Sequence, residues 1–258
     1  MSAAPVIEVD SVVTRFGRQT VHDGVSFSIP RGQIAALIGG SGSGKSVLVR
    51  EIIGLHRPTA GSVQVLGTDI WSAREDELAA VRRRFGMLFQ DGALFSSLTV
   101  AQNVATPLIE HVDVPPHLLG PLVRLRIALA GLPVEAATKM PSELSGGMRK
   151  RAAVARALAL EPEVLFLDEP TSGLDPITAR AFDRLLRFLC DDLGLTILVV
   201  THDLDTLFGI VDRTIVLAGG KVIADGPVKE IMQVDDPWLQ SYFRMRTMLE
   251  EPEENSGA

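Results

Sequence analysis

The chain has 258 residues with 25 Lys and Arg against 32 Asp and Glu, a formal net charge of −7, 46% hydrophobic residues and one cysteine. The acidic balance excludes broad electrostatic attraction to nucleic acid, so no nucleic-acid partner is expected, and the lone Cys190 excludes an internal disulfide. No uncharged apolar run nears the roughly 18 residues needed to cross a bilayer; residues 1–8 lack a basic region followed by an apolar one, and the expectation is a cytoplasmic chain whose length fits one large domain, with or without an insertion.

Residues 6–13 and 24–29 alternate in polarity as half-buried antiparallel strands do. The apolar run 34–38 reads as a buried strand, and it leads directly into Gly39-Gly40-Ser41-Gly42-Ser43-Gly44-Lys45-Ser46. Glycines let successive backbone N–H groups point inward, Lys45 supplies a cation for β- and γ-phosphates, and the Ser46 hydroxyl can ligate Mg²⁺. Residues 47–53 continue as a helix with Leu48, Ile52 and Ile53 on one side, which argues against an ordinary flexible loop. The pattern points to a bound nucleoside triphosphate.

Pro58 to Gly61 signal a turn, 62–66 a strand, 67–69 another turn, and 84–90 a short strand ending at Gln90. Between about Thr99 and Ala159 helix-like segments follow, broken by Pro107, Pro115-Pro116, Pro121, Pro133 and Pro141, and they read as a mainly helical insertion. Continuous apolar runs return at 164–168 and 196–201 with a helix-like stretch, 177–193, between them. Cys190 belongs to that stretch and reads as a small buried side chain. The unit is a βαβ crossover, which places the chemistry at the carboxyl ends of a parallel sheet. A hairpin at 214–224 and a short helix at 228–232 follow; residues 250–258 read as a solvated acidic end.

Asp168 and Glu169 end the strand 164–168. A carboxylate there can hold Mg²⁺ and a second can polarise a water that attacks the γ-phosphate. Leu144-Ser145-Gly146-Gly147-Met148 opens another helix, either as a second phosphate site or as a simple serine cap with a glycine turn. Two phosphate sites beside one set of hydrolytic residues suggest that two chains share two nucleotides.

With these motifs in order over nearly the whole length, the chain resembles an ATP-binding-cassette (ABC) ATPase. The resemblance implies an α/β ABC ATPase fold with a P-loop RecA-like parallel sheet core, an antiparallel β subdomain and a helical subdomain. It divides the chain into a nucleotide-binding core (1–90 and 160–230), a helical subdomain (91–159) and a C-terminal extension (231–258). By resemblance, residues 39–46 with Val47 are the Walker A loop, Gln90 the Q-loop, Ser145, Gly146 and Gly147 the signature, Asp168 the Walker B carboxylate and Glu169 the catalytic one. Ser172 to Asp175 match the D-loop, His202 the switch histidine, and Phe16 an aromatic that stacks on adenine. The implied cofactors are ATP and Mg²⁺, the metal held by Ser46, Gln90 and Asp168. Taken alone, Gln90 could end a strand, His202 could be a buried histidine bonded to a carbonyl, and Phe16 could be packing. Val47 stands where many members have a second hydroxyl, and Met148 replaces a glutamine.

Gly92-Ala93-Leu94-Phe95, with Asn103-Val104, Pro107-Leu108 and Glu110-His111, is similar to the MlaF subgroup of phospholipid-transport ATPases. That similarity implies a head-to-tail homodimer, an MlaE-type permease at the cytoplasmic face of the inner membrane, an MlaB-type STAS protein and a periplasmic MCE protein. An ATPase for another solute, such as an amino acid or metal chelate, would share every catalytic motif and differ after Gln90. A soluble ABC protein acting on ribosomes or DNA would bring a second cassette or a coiled-coil insertion. Residues 235–249 are too apolar for a simple tail, and docking on a partner competes with folding back on the chain's own domain.

Overall fold

The computed structural model describes residues 4–89 and 92–250, the last six as backbone only. The strands form two sheets. The antiparallel one contains β1 (Ile7–Phe16), β2 (Gln19–Ile29), β4 (Ala60–Val65) and β5 (Thr68–Asp69) in the order β2-β1-β4-β5. The other contains β3 (Ile34–Ile38), β6 (Phe85–Leu88), β7 (Val164–Asp168), β8 (Thr196–Val200), β9 (Arg213–Ala218) and β10 (Lys221–Gly226) in the order β10-β9-β3-β8-β7-β6. Only β10 runs antiparallel to its neighbour.

Alternate residues of the parallel strands feed two separate cores, which is why these strands read as unbroken apolar runs. Ile34, Ala36, Ile38, Leu165, Leu167, Ile197 and Val199 face one core. Ala35, Leu37, Val164, Phe166, Leu198 and Val200 face the other, shared with the antiparallel sheet and α1 (Lys45–Ile52). Phe166 is 1% exposed and meets Phe85 edge-on at 5.4 Å; burial of such a ring contributes about 2–3 kcal/mol.

The helical layer holds α3 (Val100–His111), α4 (Pro116–Leu129) and α5 (Gly146–Ala157). Thr99 caps α3 reciprocally with Gln102. Pro107 and Pro121 lie inside α3 and α4 and do not break them, contrary to the sequence expectation. Buried Val100, Val104 and Leu108 form a stripe along α3 that spans Pro107, and this packing outweighs a lost helix hydrogen bond costing about 3 kcal/mol. The helix α2 (Glu75–Arg82) was not expected. Val81 is its one buried residue, so periodicity left no trace of it. Thr68 and Asp69, read as a turn, pair with β4.

After β7, α6 (Pro176–Asp191) crosses back to β8; α7 (Leu204–Ile210), α8 (Val228–Ile231) and α9 (Pro237–Glu250) are the remaining α-helices among the described residues. No helix among the described residues is long and apolar enough to cross a membrane. Cys190 is buried on α6, as expected.

Asp183, also on α6, is 4% exposed and accepts the Thr206 hydroxyl at 3.1 Å. Burial pushes its carboxyl up to about 6; the Thr206 hydrogen bond opposes this and the Asp203 and Asp205 charges add to it. The folded protein therefore holds a proton between the ordinary carboxylate range and about pH 6 that the unfolded chain has lost. Stability on this account is greatest at acid pH and falls as pH rises through that window. Asp183→Asn keeps an oxygen for Thr206 and removes the charge. Urea unfolding is expected to show the variant more stable at pH 7.5 by on the order of 1–3 kcal/mol, with the difference shrinking toward pH 4.

Candidate functional site

The carboxyl ends of β3, β8 and β7 carry the chemistry-bearing residues. In register, Leu37 pairs with Val200 and Val200 with Asp168, so β8 lies between the strand that opens the phosphate loop and the strand that ends in the acidic pair. His202 follows β8 and so enters between the two. Strands lie about 4.8 Å apart, which puts Asp168 roughly 10 Å across the sheet from Leu37.

The loop 39–44 wraps the N-terminus of α1, where four backbone N–H groups lack partners in the helix. Two of its glycines are sterically required. A Cβ on Gly39 would stand 2.2 Å from the Leu217 carbonyl oxygen, and one on Gly44, at φ 98°, 2.5 Å from His22 Nε2. Lys45 Nζ donates to the Gly39 carbonyl at 2.7 Å and to that of Gly40 at 3.0 Å, curling the ammonium over the loop. Burial lowers the Lys45 pKa, while Glu169 and Asp168 raise it. Ser46 sits exposed in the first turn of α1, with Ser41 exposed, Ser43 half-buried and Val47 half-buried beside it.

Burial, and then Glu169, raise the Asp168 carboxyl above its ordinary range, with Arg50 and Lys45 opposing. Glu169 has a positive φ of 48°, a sparsely populated conformation for a residue with a Cβ. Its N–H donates to the Val200 carbonyl at 2.8 Å, its carbonyl accepts from Lys150 Nζ at 3.0 Å and Ser172 N–H at 3.2 Å, and its Oε1 lies 2.8 Å from His202 Nδ1. His202 is 75% exposed, so it is no buried structural histidine.

These residues fit a nucleoside triphosphate with Mg²⁺. The loop brings backbone amides to the start of α1, with a lysine curled over it and a half-buried carboxylate across the sheet. Asp168 and the Ser46 hydroxyl are hard oxygen donors of the kind Mg²⁺ takes together with phosphate oxygens. Gln90 lies outside the described residues.

The signature turn is built differently. Ser145 caps α5 by accepting from Met148 N–H at 3.3 Å. A Cβ on Gly147 would stand 2.5 Å from Thr178 Cγ2, and one on Gly146 3.5 Å from Leu174. The glycines thus let the turn press on the start of α6, which Asp175 caps by accepting from Ile177 and Thr178 N–H. A cleft of about 320 Å³ opens there, lined by Ser145, Gly147, Arg151 and Ile177 among others and by none of residues 39–46. Within one chain the two glycine turns line separate surfaces.

Phe16 ends β1, is 46% exposed, and stacks on His56 at 4.9 Å. Sequence reasoning gave His56 no place; its neighbours carry no pattern that announces it. The same holds for the contacts of α9. Tyr242 donates to the His202 carbonyl at 3.0 Å, and Trp238, stacked on Tyr242, sits beside Gly40. Leu239 and Phe243 are buried, so the described part of α9 folds back on its own domain. The acidic end, 251–258, lies outside the described residues.

Fold and site together define an ATP-binding cassette: residues 22–172 match the family model for the ABC transporter, and the chain belongs to that family as one of its ATPase cassettes. It is 42% identical over 247 residues to the methionine import ATP-binding protein MetN of Brucella abortus, covering 95% of this chain and 66% of that protein. It is 40% identical over 242 residues to the intermembrane phospholipid transport system ATP-binding protein MlaF of Escherichia coli, covering 94% and 90%. Among solved structures, a dimeric ABC transporter cassette, MJ0796, superposes with a TM-score of 0.78 at 31% identity, covering 86% of this chain and 98% of that one. The same cassette in a post-hydrolysis dimer holds ADP and Pi. The cassette cbiO1 of Clostridium perfringens gives 0.82 at 29% identity, covering 96% and 99%.

Proposed function

We propose that this chain is the ATP-hydrolysing subunit of a transporter that moves phospholipid between inner and outer membranes. In this reading Lys45, the amides of 39–46 and Ser46 hold MgATP, with Asp168 and Gln90 completing the metal's shell. Bound Mg²⁺ would neutralise charge developing on the phosphates. Glu169 accepts the proton of the attacking water, His202 orients Glu169 and the γ-phosphate, and Phe16 offers its face to adenine. A second copy, head to tail, brings Ser145, Gly146 and Gly147 over the nucleotide, with Asp175 joining the two sites.

The surface around Phe95 carries the transport reading. Its ring is 51% exposed, yet its backbone is fixed: buried Asn103 accepts from Phe95 N–H at 2.8 Å and donates to the Phe95 and Leu98 carbonyls. Arg156 donates to the Gly92 and Ala93 carbonyls at 3.0 and 2.8 Å and lies 5.8 Å from the ring. Leu94 is half-buried against the core. An exposed aromatic whose backbone is held in place suits a partner helix better than solvent. The partner in this reading is an MlaE-type permease at the cytoplasmic face of the inner membrane, with MlaB-type and MCE proteins on the same assembly.

A second reading, an ATPase for import of methionine or another small solute, draws on the equally high identity to MetN. Phe95→Asp tests the choice of surface, because it leaves residues 39–46 untouched. ATP binding is expected to stay within about twofold of wild type while copurification with the permease is lost. Reconstituted vesicles decide the cargo: lipid transfer driven by ATP supports the proposal, and movement of an amino acid with phospholipid left in place overturns it.

A further inference from the structure

Behind the phosphate loop lies a buried polar group that the hydrolytic chemistry does not use. Thr14 on β1, His22 on β2 and Glu51 on α1 are each 0% exposed. Thr14 and His22 are direct cross-strand partners. The Thr14 hydroxyl donates to Glu51 Oε1. His22 Nδ1 is 3.1 Å from Thr14 Oγ1 and 3.1 Å from Glu51 Oε2. On the other side of the ring, Nε2 is 3.2 Å from the Gly44 carbonyl oxygen. That oxygen can only accept, so Nε2 carries the hydrogen.

We infer that the Thr14–His22–Glu51 network is the positioning device of the phosphate loop and locks it in register with the strand pair that carries Phe16. Gly44 is the residue before Lys45, and its carbonyl also accepts from Leu48 N–H at 2.9 Å. In a trans peptide the C=O and the following N–H point in opposite directions. Fixing the Gly44 carbonyl toward His22 therefore aims the Lys45 amide at the opposite, open side of the loop. The left-handed φ of Gly44 and the 2.5 Å approach of His22 to its missing Cβ show how tightly the ring is seated. Buried charged groups add little net stability; what this set supplies is position. Thr14 stands two residues from Phe16, and β2 is tied to the β9–β10 turn by Asp23 N–H to the Gly220 carbonyl at 2.8 Å. The platform read as meeting the base and the loop read as meeting the phosphates thus share one buried anchor.

The inference rests on the reading of residues 39–46 as an ATP site. Titration calorimetry with MgATP and with inorganic triphosphate, on wild type, His22→Leu and His22→Gln, tests it alongside steady-state turnover. His22→Leu is expected to weaken both ligands about tenfold or more, raising KM while kcat changes less than about threefold. His22→Gln, whose amide N–H can reach the Gly44 carbonyl, is expected to recover most of the loss. If His22→Leu does not fold, Glu51→Gln, which keeps the shape and drops the charge, takes its place with the same expected direction. Affinities within about twofold of wild type beside a lowered melting temperature would assign the network to stability alone and overturn the inference. Failure of wild type to bind ATP would instead remove the reading of the site.

Discussion

Glu169→Gln is expected to bind MgATP with near wild-type affinity and to hydrolyse it about 10²–10⁴-fold more slowly, the range removed with a general base. The expectation comes from how the side chain is held. The amide of glutamine is isosteric and keeps an oxygen for His202 Nδ1, so the constraints from Val200, Lys150 and His202 survive. Only the proton acceptor is lost. Single-turnover hydrolysis and nucleotide binding measured on the same preparation separate the two effects. Because bound ATP would no longer be consumed, sedimentation should show a dimer that persists with ATP and dissociates without it. Turnover near the wild-type rate would remove Glu169 from the role and leave Asp168 as the remaining carboxylate at that strand end.

Ser145→Arg is expected to silence hydrolysis while leaving ATP bound to isolated chains. Ser145 caps α5 on a surface separate from residues 39–46 of its own chain, so an arginine there reaches nucleotide only if another copy presents it. Lys45→Ala damages the loop itself. Each variant alone should be inactive, but a mixture is informative. In a head-to-tail pair one lesion of each kind falls on the same shared site and the other site is intact. Half of randomly mixed dimers would carry one working site of two, so roughly a quarter of wild-type turnover is expected, with one nucleotide occluded per mixed dimer. If each chain served only its own nucleotide, both sites of every mixed dimer would carry a lesion and the mixture would stay inactive.

The surface around Phe95 has a related logic. Asn103 and Arg156 lie on α3 and α5, and both spend their hydrogen bonds on carbonyls of the loop between Gly92 and Leu98. Movement of the helical layer would carry that loop as a rigid body, which is how a shift at the nucleotide could reach a docked partner.

Much of this protein is legible locally. The phosphate loop announces itself because its glycines and Lys45 act within eight residues of backbone. The parallel strands announce themselves because burial on both faces leaves no polar residue in 34–38, 164–167 and 197–200. Strand order is another matter. Nothing in the chain places β8 between β3 and β7, yet that insertion is what sets His202 against Glu169. The pairs Phe16–His56, Tyr242–His202 and His22–Gly44 join residues 22 to 40 positions apart in sequence or meet on different elements, so no local period records them. The helix α2 stayed hidden because it buries one side chain, and Pro107 misled because propensity counts a lost hydrogen bond that tertiary packing offsets. The sequence by itself determined the make-up of the loop and of the acidic pair and the class of the sheet, since those depend on residue type and short-range geometry. Only the tertiary structure decided what holds each of them in place, because supports such as His22, Glu51 and α9 act through contacts between elements that the chain order does not bring together.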